Sequence, residues 1–324
     1  MSGPVGLTVP ASLAGVRIDR AVAALTGMSR SEVAQRIGAG DVRLDGAIVG
    51  QASRPVRVGS RIDLNSPDPV PAGPIQGDSA LVLAVVYEDE DIAVIDKPAG
   101  LVVHPGAGTA AGTLVNGLVA RYPAVGLLVE QGVCDPARPG IVHRLDKGTS
   151  GLMVAALSER SFHSLTAKIA GREVRRIYTV LGWGAFDDDE AIIDAPVGRS
   201  ARDRTLMAVS AAGKPAVTRF RVETRFASPV SATLLTATLD SGRTHQIRVH
   251  LSALGHPVVG DSRYGGGITR RRDPGGTIEL DRPFLHAAEL AFAHPVSGKP
   301  LSFTSPLPSD LERVLSLLSS GVGG

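Results

Sequence analysis

Four polar residues, His143, Arg144, Asp146 and Lys147, stand between two apolar runs in Gly140 to Ala156, GIVHRLDKGTSGLMVAA. Read as strand, polar loop, strand, this stretch sets one carboxylate among three neighbours that are or can become cationic. Fixed positive charge keeps a carboxylate ionised, and it is then available as a nucleophile or an electrostatic stabiliser. The same spacing also suits a surface loop in which Asp146 pairs with the adjacent arginine, an arrangement worth little. A second basic stretch, SGRTHQIRVHL from Ser241 to Leu251, carries Arg243, His245, Arg248 and His250. As an extended strand, Thr244, Gln246, Arg248 and His250 would share one face and wall an anionic ligand. As a helix, Gln246, Val249 and His250 would group instead.

Other catalytic patterns are missing from the sequence. It has no G-x-S-x-G elbow and no phosphate loop, since the GK pairs at Gly213-Lys214 and Gly298-Lys299 each run into proline. Gly106, Gly108 and Gly112 fit no dinucleotide fingerprint and read as a turn-making loop. His245, His250 and His256 are spaced by five and six, which separates consecutive members on a helix, so no metal site is expected. The single cysteine, Cys134, forbids an internal disulfide or a multi-cysteine zinc site and reads as an ordinary thiol.

The elements that must position these residues follow from composition and periodicity. The chain has 324 residues, 43% of them hydrophobic, with 34 Lys and Arg against 32 Asp and Glu, a net charge of +2. This is the composition of a globular protein with ample core. Its longest apolar run, Ala80 to Tyr87, is far short of a membrane span, and no signal-like leader opens it. A soluble, cytoplasmic monomer is the expectation. The prolines at 67, 69, 71 and 74 mark residues 65–80 as a semi-rigid linker. Before it, Asp19 to Leu25 reads as a helix, SRSEVAQRIGAG as a second with a Ser29–Glu32 capping box, and 42–49 as a hairpin turning at Asp45-Gly46. Between Arg17 and Arg61 eight arginines face four acids and there is no aromatic residue. Such a face is either plainly solvated or a clamp for the phosphate backbone of RNA. After the linker, strands are expected at 81–87, 92–95, 151–156, 176–181 and 234–239, and helices at 113–121 and 158–170. Irregular alternation favours α+β over a doubly wound sheet. Asp187 to Glu190 reads as a solvated turn, and 319–324 as a disordered tail.

The N-terminal helix, the helix SRSEVAQRI and the hairpin VRLDGAIV resemble an S4 RNA-binding domain over residues 9–64. YEDEDIAVIDKPAGLVVHPGAG, HRLDKGTSGLMV, GRTHQIRVHLSALGHPVVGDSRYGG and LHAAELAFAHPVSGK then occur in this order. Together they resemble the RluA/RluD-type RNA pseudouridine synthases, and the S4-like segment points to the RluD-like branch. The resemblance implies a mainly antiparallel catalytic domain over 81–318 and isomerisation of uridine to pseudouridine in RNA, with 23S ribosomal RNA or a ribosomal precursor particle as the expected substrate. This chemistry needs no metal or other cofactor.

The resemblance also assigns roles. Asp146 would attack C1′ or remove the C2′ proton, and Arg248 would pair with it. Tyr178, in RRIYTV, would stack on uracil and help remove the C5 proton. Leu285 would wall the pocket. Arg144 would fill the gap left by an extruded base, because a uridine inside folded RNA must flip out to react. His143 and Lys147 would contact substrate, and Arg17, Arg20, Arg30, Arg36 and Arg43 would grip RNA. One departure is Gly148, where the family loop commonly reads HRLDKDTSG; aspartate there is expected to leave or improve turnover. The rival reading, a non-catalytic RNA-binding or ribosome-assembly protein, predicts loss of Asp146, Arg248 or Tyr178, and all three are present.

Overall fold

A computed structural model describes residues 5–64 apart from 27 and 29, 75–267 apart from 107, 108 and 110, and 278–320. The side chains of residues 5, 30–32 and 35 also lie outside the described part. The chain divides into two compact units, Met1–Gly73 and Pro74–Gly324.

In the first unit, β1 (Val5–Thr8), α1 (Ile18–Thr26), α2 (Arg30–Gly38), β2 (Val42–Leu44), β3 (Ala47–Ile48) and β4 (Arg61–Leu64) follow one another. α1 buries Ile18, Ala21 and Val22, and α2 buries Val33 and Ile37, the spacing of one helical face. Val42, Leu44, Ile62 and Leu64 close this core from the sheet side. The hairpin turns where expected: Asp45 and Gly46 both have positive φ, 52° and 84°, as a two-residue primed turn demands. β1, which the sequence reading did not anticipate, pairs with β4 and gives the order β1-β4-β2-β3. The Ser29–Glu32 capping box lies outside the described residues.

The second unit is built on one large sheet. Its elements are β5 (Val85–Glu88), β6 (Ile92–Lys97), α3 (Leu114–Arg121), α4 (Ala124–Glu130), β7 (Ser150–Ala156), α5 (Glu159–Ala170), β8 (Arg175–Trp183) and β9 (Glu190–Asp194). There follow β10 (Val197–Arg199), β11 (Met207–Val209), β12 (Val217–Phe226), β13 (Ala232–Leu239), α6 (Gln246–Ala253), β14 (Leu285–Ala293), β15 (Pro300–Thr304) and α7 (Ser309–Ser320). The sheet order is β5-β6-β7-β14-β8-β13-β12-β9, with β15 added beside β14. Every pairing is antiparallel except β7 with β14. α3, α4, α6 and α7 supply apolar residues to one face through Leu118, Val125, Ile247 and Leu311. α5 covers the other face through Leu165, against Val94, Val154 and Phe292. β7 is buried at all seven positions, which is why it reads as a continuous apolar run rather than an alternating one.

Several boundaries differ from expectation for physical reasons. The strand expected from Leu81 begins at Val85. Residues 76–80 are tied to α3: Asn116 Nδ2 donates to the Gln76 carbonyl at 2.8 Å, and Asp78 N donates to the Asn116 carbonyl at 2.9 Å. The stretch expected as linker up to 80 is therefore packed from 76 onward, and its prolines up to 74 lie outside the described residues. α7 runs through Ser320, so the expected tail begins inside a helix.

Candidate active site

β7 and β14 pair only where Ser150 and Gly151 meet His286 and Ala287. Beyond that point the strands take other partners. The ring Nε2 of His143 accepts from Val154 N at 3.0 Å, and the Gly140 carbonyl accepts from Ala156 N at 2.9 Å. The polar loop after Gly140 thus lies along β7 at the break in the sheet. A cavity of about 600 Å³ opens there, and its walls include Asp146, Tyr178, Arg248 and Leu285, drawn from four separate elements. His143 and Arg144 also line it.

Arg248 organises this site. It is only 6% exposed, and its Nη1 donates to Asp146 Oδ2 at 3.1 Å. Its Nε and Nη2 grip Asp261 with both carboxylate oxygens, at 2.6 and 2.9 Å, and its guanidinium lies 4.9 Å over the Tyr264 ring. Burial opposes its charge, but Asp261 first and then Asp146 outweigh this and raise its pKa. Such two-oxygen pairing fixes the plane of the guanidinium as a lysine cannot.

Arg248 is delivered by α6, so the helical alternative describes the Ser241 to Leu251 stretch. Gln246 and His250 turn inward together: Gln246 Nε2 donates to Thr218 Oγ1 at 3.0 Å, and that hydroxyl meets His250 Nδ1 at 2.8 Å. His245 precedes the helix with φ 58°, a left-handed conformation that costs a non-glycine residue of order 1 kcal/mol and concentrates at functional sites. This bend sets its Nε2 3.9 Å from Asp146 Oδ1. Tyr264 Oη accepts from Met207 N at 3.0 Å and lies 2.6 Å from His245 Nδ1, so the network assigns the ring proton to Nε2, facing Asp146. Burial lowers the pKa of His245, and Asp146 partly restores it. His256 bonds the Trp183 carbonyl at 2.8 Å, so the three histidines of the 245–256 stretch serve three separate networks.

Tyr178 lies on β8 and is 6% exposed; burial raises its phenol pKa, so the neutral form rests in the site. Arg144 is exposed, and its Nη1 donates to His104 Nε2 at 2.8 Å while His104 Nδ1 donates to the Pro105 carbonyl at 3.0 Å. His143 is half-buried; burial and then the Arg176 charge push its pKa down to about 3, and its Nε2 is spent on the strand. Lys147 is exposed and is not among the residues that line the cavity. Its carbonyl instead accepts from Gly100 N at 2.7 Å. Lys97 joins the same loop pair from below. It is fully buried, donates to the Pro98 and Leu101 carbonyls at 2.9 Å each, and its pKa is pushed down to about 8 by burial.

The loop at Gly148 is wired through Arg282, whose Nη1 donates to the Gly148 carbonyl and to Ser150 Oγ, each at 3.3 Å. Arg282 is itself held by both oxygens of Asp310 on α7, at 2.6 and 2.9 Å. In the glycine-rich stretch, Gly106 and Thr109 exchange two backbone hydrogen bonds, as a tight turn does; Gly108 lies outside the described residues. Cys134 is buried and free, and burial raises its thiol pKa. In the N-terminal unit Arg20 is exposed, Arg36 is half-buried, and Arg17 pairs with Asp19 at 3.1 Å. Arg43 bonds the Gly46 carbonyl at 3.3 Å, and the Arg30 side chain lies outside the described residues. Sequence reasoning assigned no role to Asp261, Tyr264, Lys97 and Arg176, although each lies in a stretch quoted above, because what marks them is their contacts in the folded chain and not residue type or spacing.

The chain is similar to proteins of one known family. The family model described as RNA pseudouridylate synthase matches residues 91–253. The chain is 46% identical, over 96% of its length and 93% of the relative's, to an uncharacterized RNA pseudouridine synthase of Chloroflexus aurantiacus. It is 40% identical, over 96% of its length and 91% of the relative's, to the ribosomal large subunit pseudouridine synthase D of Xanthomonas campestris pv. campestris. Among solved structures, human RNA pseudouridylate synthase domain containing 1 superposes with a TM-score of 0.52 at 25% identity, covering 76% of this chain and 98% of that one.

Proposed function

This chain belongs to the RNA pseudouridine synthase family, isomerases that convert uridine to pseudouridine in RNA, and from that premise we propose that it acts on large-subunit ribosomal RNA with Asp146 as the reacting carboxylate. The observation that carries the assignment of residues is the meeting of Asp146, Arg248, Tyr178 and Leu285 in one cavity large enough for a nucleotide. The ribosomal target rests on the likeness to the large-subunit enzymes.

A flipped uridine enters with its ribose toward Asp146. Arg248 aims the carboxylate, and Asp261 holds Arg248. The N1–C1′ bond breaks and its electron pair leaves with the uracil, while Asp146 either bonds to C1′ or takes the C2′ proton to give a glycal. The detached uracil turns between Tyr178 and Leu285. C5 then bonds to C1′, Asp146 is released or returns its proton, C5 loses its hydrogen to solvent and N1 gains one. The raised pKa of Tyr178 favours a stacking role for the neutral ring over service as the resting base for the C5 proton.

The N-terminal unit, read as an S4-like domain, adds an electrostatic hold through Arg17, Arg20, Arg36 and Arg43, with Arg30 on the same helix as Arg36. The enzyme acts as a cytoplasmic monomer; among the described residues no helix is long and apolar enough to cross a membrane. RNA labelled with tritium at uracil C5 tests the chemistry. The wild type should release tritium into water, and Asp146→Asn should release none. Equal release by both proteins would refute the role given to Asp146.

A further inference from the structure

Among the described residues, the buried side-chain polar atoms without a partner are Nε and Nη2 of Arg176 and Oγ1 of Thr149. All of them belong to residues that line the active-site cavity. Arg176 is 5% exposed and Thr149 is 2% exposed. A buried guanidinium without a counter-charge is costly, and folding alone returns nothing for it. Arg248 shows the contrast within the same cavity, since the corresponding edge of its guanidinium, Nε and Nη2, is closed on both oxygens of Asp261.

The placement of Arg176 is specific. It precedes Tyr178 by two residues on β8, so both side chains leave the sheet on the cavity face. Its third nitrogen, Nη1, lies against Gly242: a Cβ added there would come within 2.9 Å of it. Nη1 is thereby backed by the chain, and the Nε–Nη2 edge remains for something else. Thr149 lies in the turn of the reacting carboxylate, its amide donating to the Asp146 carbonyl at 3.1 Å.

We propose that Arg176, with Thr149, binds the phosphodiester flanking the reacting uridine, so that one backbone phosphate is drawn into the cavity with the flipped nucleotide. This rests on the reading of the cavity as a uridine site. Two parallel N–H groups match two oxygens of one anion, and a phosphodiester presents them whatever the neighbouring bases are. The contact therefore serves registration of the ribose against Asp146 and carries no sequence preference.

The test uses the full-length enzyme and an RNA fragment whose modified uridine has been mapped with the wild type. That fragment is also made with a neutral methylphosphonate replacing the phosphate on either side of the uridine. At one of the two positions the replacement should slow the wild type by about ten- to a hundredfold. Arg176→Gln should be slowed by a similar factor on the natural RNA and no further on that methylphosphonate RNA. Gly242→Ala, which displaces the guanidinium without removing it, should show the same loss of sensitivity in part. Full additivity at both positions overturns the proposal. Melting temperature is the second readout. Arg176→Gln should melt no lower than the wild type, because it removes an unpaired buried charge; a fall of several degrees would make Arg176 a structural residue and also overturn it. A wild type that modifies no ribosomal RNA refutes the uridine-site reading instead, which keeps the two failures apart.

Discussion

One guanidinium does three tasks in this site. Arg248 aims Asp146, is held flat by Asp261, and covers the ring of Tyr264. Asp261 is 1% exposed and also accepts from Arg263 N at 3.1 Å. Asp261→Ala should therefore cost about 3–5 kcal/mol in urea unfolding, the penalty for leaving a buried partner uncompensated. It should also lower turnover at least tenfold while RNA affinity holds; a variant with wild-type stability and turnover would remove Asp261 from the account. His143 gives a prediction in pH. Its folded pKa of about 3 lies below the ordinary value of 6.5, so the unfolded chain binds the proton first as pH falls. Stability from this group is complete above about pH 6.5 and is lost progressively toward pH 3. Between pH 7 and pH 5 it should contribute a loss of about 1–2 kcal/mol, and His143→Gln should flatten that part of the curve. An unchanged slope in the variant would contradict the assignment. His104, His245, His250 and His286 are also shifted down by burial, and they add to the same acid-side loss.

At the scale of elements, the site is made where one sheet fails to stay paired. β7 and β14 separate after two residues of parallel pairing, and the loop bearing Asp146 occupies the β7 side. Gly148 lies at this seam. A Cβ there would approach Pro283 Cδ to 2.9 Å. Gly148→Ala should cost about 1–3 kcal/mol, measured by urea unfolding. Gly148→Asp must also displace Pro283, so turnover is now expected to fall, in contrast to the expectation from the family loop. A variant as stable and active as the wild type would show that Pro283 yields freely. Much of this architecture is legible in the chain. β6, β7, α3 and α5 follow from apolar runs and helical periodicity, and the hairpin at Asp45-Gly46 follows from turn chemistry. The strand-or-helix choice at 244–250 is different, because alternation and helical spacing both fit a short stretch; only packing of Ile247 and Leu251 into the core decides it. Asp146, Arg248 and Tyr178 lie in recognisable motifs. Asp261 and Arg176 lie in the same stretches, but residue type does not mark them, because a buried ion pair and an unpartnered guanidinium are properties of contacts in the folded chain.

At the scale of the molecule, the small net charge of +2 conceals an uneven distribution. The arginine surplus between residues 17 and 61 falls in the first unit, and Arg138, Arg144, Arg172 and Arg243 line the catalytic cavity of the second. Binding to RNA should weaken steeply with salt. Removing residues 1–73 should lower the affinity and flatten that salt dependence, while the remaining unit keeps a cooperative unfolding transition. Collapse of the remainder into an unfolded chain would contradict two independently stable units. The role of Asp146 in uridine isomerisation is decided by incubating full-length protein with a large-subunit ribosomal RNA transcript and mapping pseudouridine chemically. The expected result is discrete modified uridines with the wild type and none with Asp146→Ala, which still binds the transcript. Pseudouridine formed by Asp146→Ala, or a wild type that binds the RNA and leaves every uridine unchanged, would contradict it.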